Sequence, residues 1–194
     1  MAHRSEDVMR RTPARADALR NREKLLDVAR TLYAQKGAEV TLNGLAKQAG
    51  FGVGTVYRHF PTREVLLEAV IADRFDALQA LAEELLAGPD PGGPGLRRWL
   101  DVLLDNLTEY RGLPASTLAA MHDETSHLYQ SCHGMRAAAA RLLRAAQDDG
   151  TIREDLDVST LLKLSNAVAL VTEQTGRAAK ELLPFLYEGI TPRS

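Results

Sequence analysis

A single cysteine, Cys132, in 194 residues excludes an internal disulfide and suits a reducing compartment. Aromatic residues make up only 5% of the chain, and β-branched residues are thinly spread, which leaves little material for a sheet core. No apolar run approaches the ~18 residues needed to cross a bilayer. The densest, residues 161–171, is interrupted by Lys163, Ser165 and Asn166. The first residues form no apolar signal core, so export is not expected and a cytoplasmic protein is. Glycine and proline concentrate in one place, GPDPGGPG at 88–95, which is expected to be a loop throughout. What remains is dominated by Ala, Leu, Arg and Glu, a helix-forming mixture. The expectation is an all-α protein of about nine helices, without strands or internal repeats.

Charge is divided unevenly. Residues 1–66 carry 12 basic against 7 acidic side chains, a net of +5, while the remainder has a net of −7. A basic front on an acidic body suits nucleic-acid binding confined to one end. That front contains TLNGLAKQAGFGVGTVYRHFPTREVL at 41–66. Leu42, Leu45, Ala46 and Ala49 make a helical apolar stripe. Thr41 is placed to cap it, and Gly50 to end it and turn the chain. Val56 and Phe60 continue helical spacing after the turn, and Pro61 stops that helix. Two short helices around a glycine turn, the second polar and weakly basic, form a helix-turn-helix suited to a DNA major groove.

Together with the preceding NREKLLDVARTLYAQKGAEV, this stretch resembles the DNA-binding region of the TetR family of bacterial transcriptional regulators. The matching residues are Ala49-Gly50-Phe51, the run from Gly54 to Phe60, and Thr62 to Leu67; the run from Gly150 to Asp155 is a weaker match. Residues 1–18, polar, Arg-rich, interrupted by Pro13 and without an apolar stripe, are expected to form a flexible arm, followed by a helix-turn-helix domain over 19–66 and, as the resemblance implies, a ligand-binding and dimerisation domain over 67–194. Arg4, Arg10, Arg11 and Arg15 suit either phosphate tracking or a tail without a binding role. The recognition helix is expected over Val53 to His59. Its bare first turn, Gly52-Val53-Gly54, leaves Val53 for thymine methyl contact and Thr55 for hydrogen-bond readout. Thr41, Tyr57, His59 and Arg63 correspond to family positions that resemble phosphate contacts. Arg58 suits either a DNA contact or a solvent-facing charge.

A long helix from 62 through 86 would join this head to the body. The resemblance implies a small-molecule pocket in the body, with Trp99, Leu103, Leu107, Tyr110, Met121, His122, Thr125, Tyr129 and Asn166 as candidates; each also suits ordinary core packing. From Leu161 to Val171, 8 of 11 residues are apolar, so that helix needs cover on both sides. Either it is the central helix of a monomer, or a second subunit covers it through Leu161, Leu164, Val168, Val171, Leu182 and Leu186. A two-fold dimer would meet an inverted-repeat operator with half-sites ~34–36 Å apart.

Three other functions compete less well. His122, His127, Cys132 and His133 lie within twelve residues and raise a metal- or redox-responsive regulator, but His122 and His127 differ by about 140° in helical azimuth. No metal or other cofactor is expected. Gly50-Phe-Gly-Val-Gly54 has Thr55 where a dinucleotide fingerprint needs its third glycine, and no strand precedes it. Neither a nucleophile with its base nor a generic interaction module is legible, so no enzymatic activity is expected. The partners expected are operator DNA, a small-molecule effector and a second copy of the chain, not a membrane.

Overall fold

The structure is a computed structural model that describes residues 3–109, 120–175 and 179–192, and their side chains except at 3–15, 38, 108, 109, 172–175, 179 and 180. Among the described residues there are eight α-helices and no strand: α1 (His3–Lys36), α2 (Leu42–Ala49), α3 (Val53–His59), α4 (Arg63–Ala87), α5 (Gly93–Glu109), α6 (His127–Asp148), α7 (Val158–Thr175) and α8 (Ala179–Ile190). A 3-10 turn, Gly37–Glu39, follows α1. No helix among these residues is long and apolar enough to cross a membrane. The chain divides into two compact units, Met1–Val70 and Ile71–Ser194. The division falls four residues beyond the expected boundary at 66, because Leu66, Leu67 and Val70, in the first turns of α4, are buried in the first unit. The segment expected as an irregular arm is helical from His3 onward and continuous with α1. Four alanines and four arginines in residues 1–18, all strong helix formers, oppose the single Pro13.

In the first unit, α1 packs on α2 and α2 on α3. Leu25, Ala29, Leu32 and Tyr33 of α1 recur at three- and four-residue intervals and are buried with Leu45, Val56, Phe60 and Leu66. The Tyr33 hydroxyl donates to the Arg63 carbonyl at 3.4 Å, tying α1 to the start of α4.

In the second unit, α5 is the hub, packed against α6, α7 and α8. Its apolar face, Leu96, Trp99, Leu100, Leu103 and Leu104, is buried with Leu78 and Ala82 of α4 and Met135, Ala139, Leu142 and Ala146 of α6. The fully buried Trp99 indole donates to the Leu78 carbonyl at 2.9 Å. Two starts are earlier than composition suggests. Helix α5 begins at Gly93, inside the expected loop, because Pro94 falls in the first turn, where a missing N–H costs nothing. Asp149, remote in sequence, caps it by accepting the Gly93 N–H at 2.9 Å. Helix α6 begins at His127 rather than Met135, since Ser126 accepts the Tyr129 N–H at 2.9 Å. The buried Gln147 amide shapes the α6–α7 connection by donating to the carbonyls of Arg153 and Leu156, each at 2.9 Å.

Candidate nucleic-acid interface

Helix α2 opens on Thr41, whose Oγ1 accepts the Gly44 N–H at 3.1 Å. A Cβ at residue 44 would lie 3.0 Å from that oxygen, so Gly44 makes room for the cap. At the other end Gly50 adopts φ 71°, the left-handed conformation glycine takes without strain, and the Phe51 N–H donates to the Ala46 carbonyl at 3.0 Å. Gly52 then caps α3 with its backbone, its carbonyl accepting the Thr55 N–H at 2.9 Å. The recognition helix covers Val53–His59, as its spacing predicts.

Val56 and Phe60 are fully buried, which sets the roll of α3 about its axis. Gly52, Val53, Gly54, Tyr57 and Arg58 are therefore exposed, with Thr55 and His59 half-buried on the flanks. Val53 and Tyr57 expose 48% and 44% of their surfaces, large values for side chains with so much apolar area. Thr41 is exposed and Arg63 half-buried. The nine expected DNA residues thus lie in one compact unit, on or flanking two helices held by a rigid turn. Arg58 is folded along its own helix: Nε donates to the Gly54 carbonyl at 3.1 Å and Nη2 to Thr55 Oγ1 at 3.3 Å.

Two cations absent from the expected set also brace this region. The Arg22 guanidinium lies 5.3 Å from the ring centre of Phe60, and the Lys24 ammonium 5.9 Å from that of Phe51. The two rings bracket α3, so α1 contributes cation–π contacts at both its ends. No sequence spacing signals such pairs, whose partners stand 38 and 27 positions apart. At the start of α4, the Thr62 side chain accepts the Val65 N–H at 3.3 Å. The Glu64 carboxyl is held below its usual range, first by its own backbone amide and then by the Thr62 hydroxyl.

The expected effector residues are scattered by environment. Trp99 and Leu103 are core, and Leu107 packs against it. Met121 and Tyr129 are half-buried, while His122, Thr125 and Asn166 are exposed. Thr125 is turned onto the Asp123 carboxylate, and Asn166 donates to the Leu162 carbonyl at 3.0 Å. Tyr110 lies outside the described residues. Three surface clefts of about 380, 300 and 250 Å³ open among the described residues of the second unit, and none is lined by any of these nine. Ser131, absent from the expected set, is buried with no hydrogen-bond partner for its hydroxyl among the described residues. For the metal or redox alternative, no three His, Cys, Asp or Glu side chains converge among the described residues. His127 lies 3.8 Å from Asp76, and burial pushes the Cys132 thiol up, away from the reactive thiolate.

The expected interface residues divide in three. Leu161 and Leu186 belong to the core of the protomer, and Val168 and Leu182 are half-buried. Leu164 and Val171 are exposed, and so are Leu170 at 56% and Phe185 at 69%, which the spacing missed. An apolar helix read without its neighbours offers no way to choose which of its faces turns inward. Leu161 and Leu186 are therefore removed from the candidate interface, and Leu170 and Phe185 join it.

The two units match different parts of one family. Residues 25–70 match the family described as bacterial regulatory proteins, tetR family, and residues 90–192 match the C-terminal domain described as transcriptional regulator SbtR-like. The chain is 27% identical over 190 residues to the HTH-type transcriptional repressor KstR2 of Rhodococcus jostii (strain RHA1), covering 87% of this chain and 90% of that one. It is similar in structure to the TetR transcriptional regulator SCO0520 from Streptomyces coelicolor, with a TM-score of 0.69 and 30% identity over 89% of this chain and 99% of that one. The TetR transcription regulatory protein from Mycobacterium vanbaalenii gives a TM-score of 0.62 and 32% identity, over 93% and 100%. With both units matched and the exposed recognition helix in place, the chain belongs to the TetR family of bacterial transcriptional regulators and is a DNA-binding regulator.

Proposed function

We propose that the protein is a cytoplasmic repressor, a homodimer that holds an inverted-repeat operator through two α3 helices and releases it when a small molecule occupies the second unit. The observation that carries this reading is the outward face of α3, where Val53, Gly54, Tyr57 and Arg58 are uncovered while Val56 and Phe60 fill the core. Val53 and Thr55 read bases; Thr41, Tyr57, His59 and Arg63 grip phosphates and set register. The name of the Rhodococcus relative supports repression. Self-association is supported by the exposed large apolar residues of α7 and α8, Leu164, Leu170, Val171 and Phe185, which a two-fold copy would cover at least in part. An enzymatic role is not part of this reading.

Effector binding takes place in the second unit, with Leu107, Met121 and Tyr129 as partly buried candidates and the Ser131 hydroxyl, which has no partner among the described residues, as a polar group open to a ligand. Helix α4 continues from the first unit into the second, so a shift of its second half reaches the DNA-binding head along the chain. Its links to α6, the Arg141–Glu83 pair at 2.6 Å and the His127–Asp76 pair, offer a route for that shift. A ligand moves the equilibrium only as far as its affinities for the two arrangements differ. Footprinting on DNA flanking the gene tests the whole reading. It should give a protected inverted repeat, which some member of a small-molecule panel releases. Protection without two-fold symmetry would remove the dimer, and protection unchanged by every compound would remove the effector.

A further inference from the structure

Arg58 occupies the centre of the outward face of α3. The buried pair Val56 and Phe60 marks the inward direction, and at 100° per residue the opposite direction falls on Gly54 and Arg58. The exposed guanidinium is folded back along its own helix rather than fully extended. Nε and Nη2, which share one side edge of the planar fork, donate to the Gly54 carbonyl and Thr55 Oγ1. The end edge, formed by Nη1 and the second hydrogen of Nη2, makes no bond within α3. A long side chain with about 2 kcal/mol of rotamer entropy is thus already held with two parallel donors available.

Among the described residues, nothing in the fold calls for a glycine at 54. A Cβ there would meet nothing within 4 Å, and its φ is not positive. Glycine within a helix nevertheless costs roughly 1 kcal/mol against alanine. Neither packing nor backbone geometry asks for it, so the bare strip it leaves beside Arg58 serves a surface outside the chain. Two parallel donors at fixed spacing match guanine, which presents O6 and N7 as adjacent acceptors in the major groove. Phosphate also accepts a fork, but a phosphate contact needs no bare strip beneath it.

Resting on the DNA-binding reading above, we propose that Arg58 reads a guanine in each operator half-site through its end edge. Thr55 is the positioning residue that holds the fork, and Gly54 admits the base pair. Thr55, accepting from Arg58, keeps its own hydroxyl hydrogen for a neighbouring acceptor.

The test is selection of binding sites from random double-stranded DNA by the full chain, followed by affinity measurement at two salt concentrations. Wild type should enrich a guanine at one fixed position per half-site. Arg58→Ala should lose about 5- to 150-fold on that site, the range of one bidentate base contact, and flatten preference at that position alone. Arg58→Lys keeps the charge without the fork, so it should retain binding to random DNA while losing the guanine preference. Thr55→Val should weaken the guanine preference several-fold without changing the salt dependence, besides removing whatever preference its own hydroxyl hydrogen sets at a neighbouring position. An Arg58→Ala pool with the wild-type preference at every position overturns the assignment. So does an equal loss on specific and random DNA with a salt slope lower by about one, the signature of a phosphate contact. A wild-type pool with no enriched sequence overturns the DNA-binding reading itself.

Discussion

Replacing Gly92 by alanine tests the contact that starts helix α5. A Cβ at residue 92 would lie 1.7 Å from Asp149 Oδ2 and 2.6 Å from its Cγ, separations no real contact allows. That carboxylate can retreat only by giving up the bonds it accepts from the Gly93 N–H and the Thr151 N–H, each at 2.9 Å. Gly92→Ala should therefore cost up to about 1 kcal/mol, because the most it can force is the swing of that exposed carboxylate into solvent and the loss of its cap. Asp149→Ala alone removes a solvent-exposed cap and should cost about 1 kcal/mol, within the lower half of the capping range. With Asp149 gone, the nearest atom to a Cβ at 92 is the Ala145 carbonyl oxygen at 3.4 Å, an ordinary contact. The double variant should then be about as stable as Asp149→Ala, a coupling of up to about 1 kcal/mol, equal to the cost of Gly92→Ala alone. Trp99 is the single tryptophan and is fully buried in the second unit, so its fluorescence during urea unfolding reports that unit directly. Strictly additive costs would refute the clamp. Its pH dependence follows from the Asp149 carboxyl, held below its ordinary value of 3.8 first by the Thr151 hydroxyl and then by the amides of Gly93 and Thr151. A depressed carboxyl stabilises fully above its unfolded value and loses that contribution as pH falls through the lower folded one. The gap between wild type and Asp149→Ala should thus be constant at neutral pH and close in strong acid.

Thr41→Ala removes the α2 cap and should lower the stability of the first unit by about 1 kcal/mol, read by hydrogen exchange of the Gly44 amide; unchanged exchange would contradict the capping role. Tyr57→Ala and Arg63→Ala should weaken binding to operator and random DNA alike, and Arg63→Ala should also reduce the salt slope by about one. A loss confined to the operator would assign these side chains to bases. Leu170→Glu combined with Phe185→Glu places charge on the exposed strip and should give a monomer by light scattering. A surviving dimer would move the interface to another face.

The DNA-binding head was legible because its determinants are local. The apolar stripe of α2, the left-handed Gly50 and the buried pair Val56 and Phe60 all lie within 19 residues, and each follows from helical spacing or glycine's conformational freedom. The body was legible as helices but not in its details. Gly93 begins a helix in part because Asp149 reaches it across 56 positions, and composition at 88–95 carries no trace of that. Ser126 hid the start of α6 within a stretch of mixed side chains. The faces of α7 and α8 were misassigned at Leu161 and Leu186 because both helices are apolar on more than one side, and only packing against α5 decides which side is covered. Within the site, the Arg58–Thr55 bond and the stacking of Arg22 on Phe60 depend on rotamers and on tertiary contact respectively, and spacing alone reports neither.

The central claim is that the outward face of α3 discriminates among DNA sequences. Competition binding measures it most directly, with DNA from the flank of the gene set against a scrambled duplex of equal length across a salt series. The account predicts that the flanking DNA binds at least about 10³-fold more tightly at physiological salt, with both affinities falling as salt rises. Equal affinity for the two duplexes at every salt concentration would contradict it.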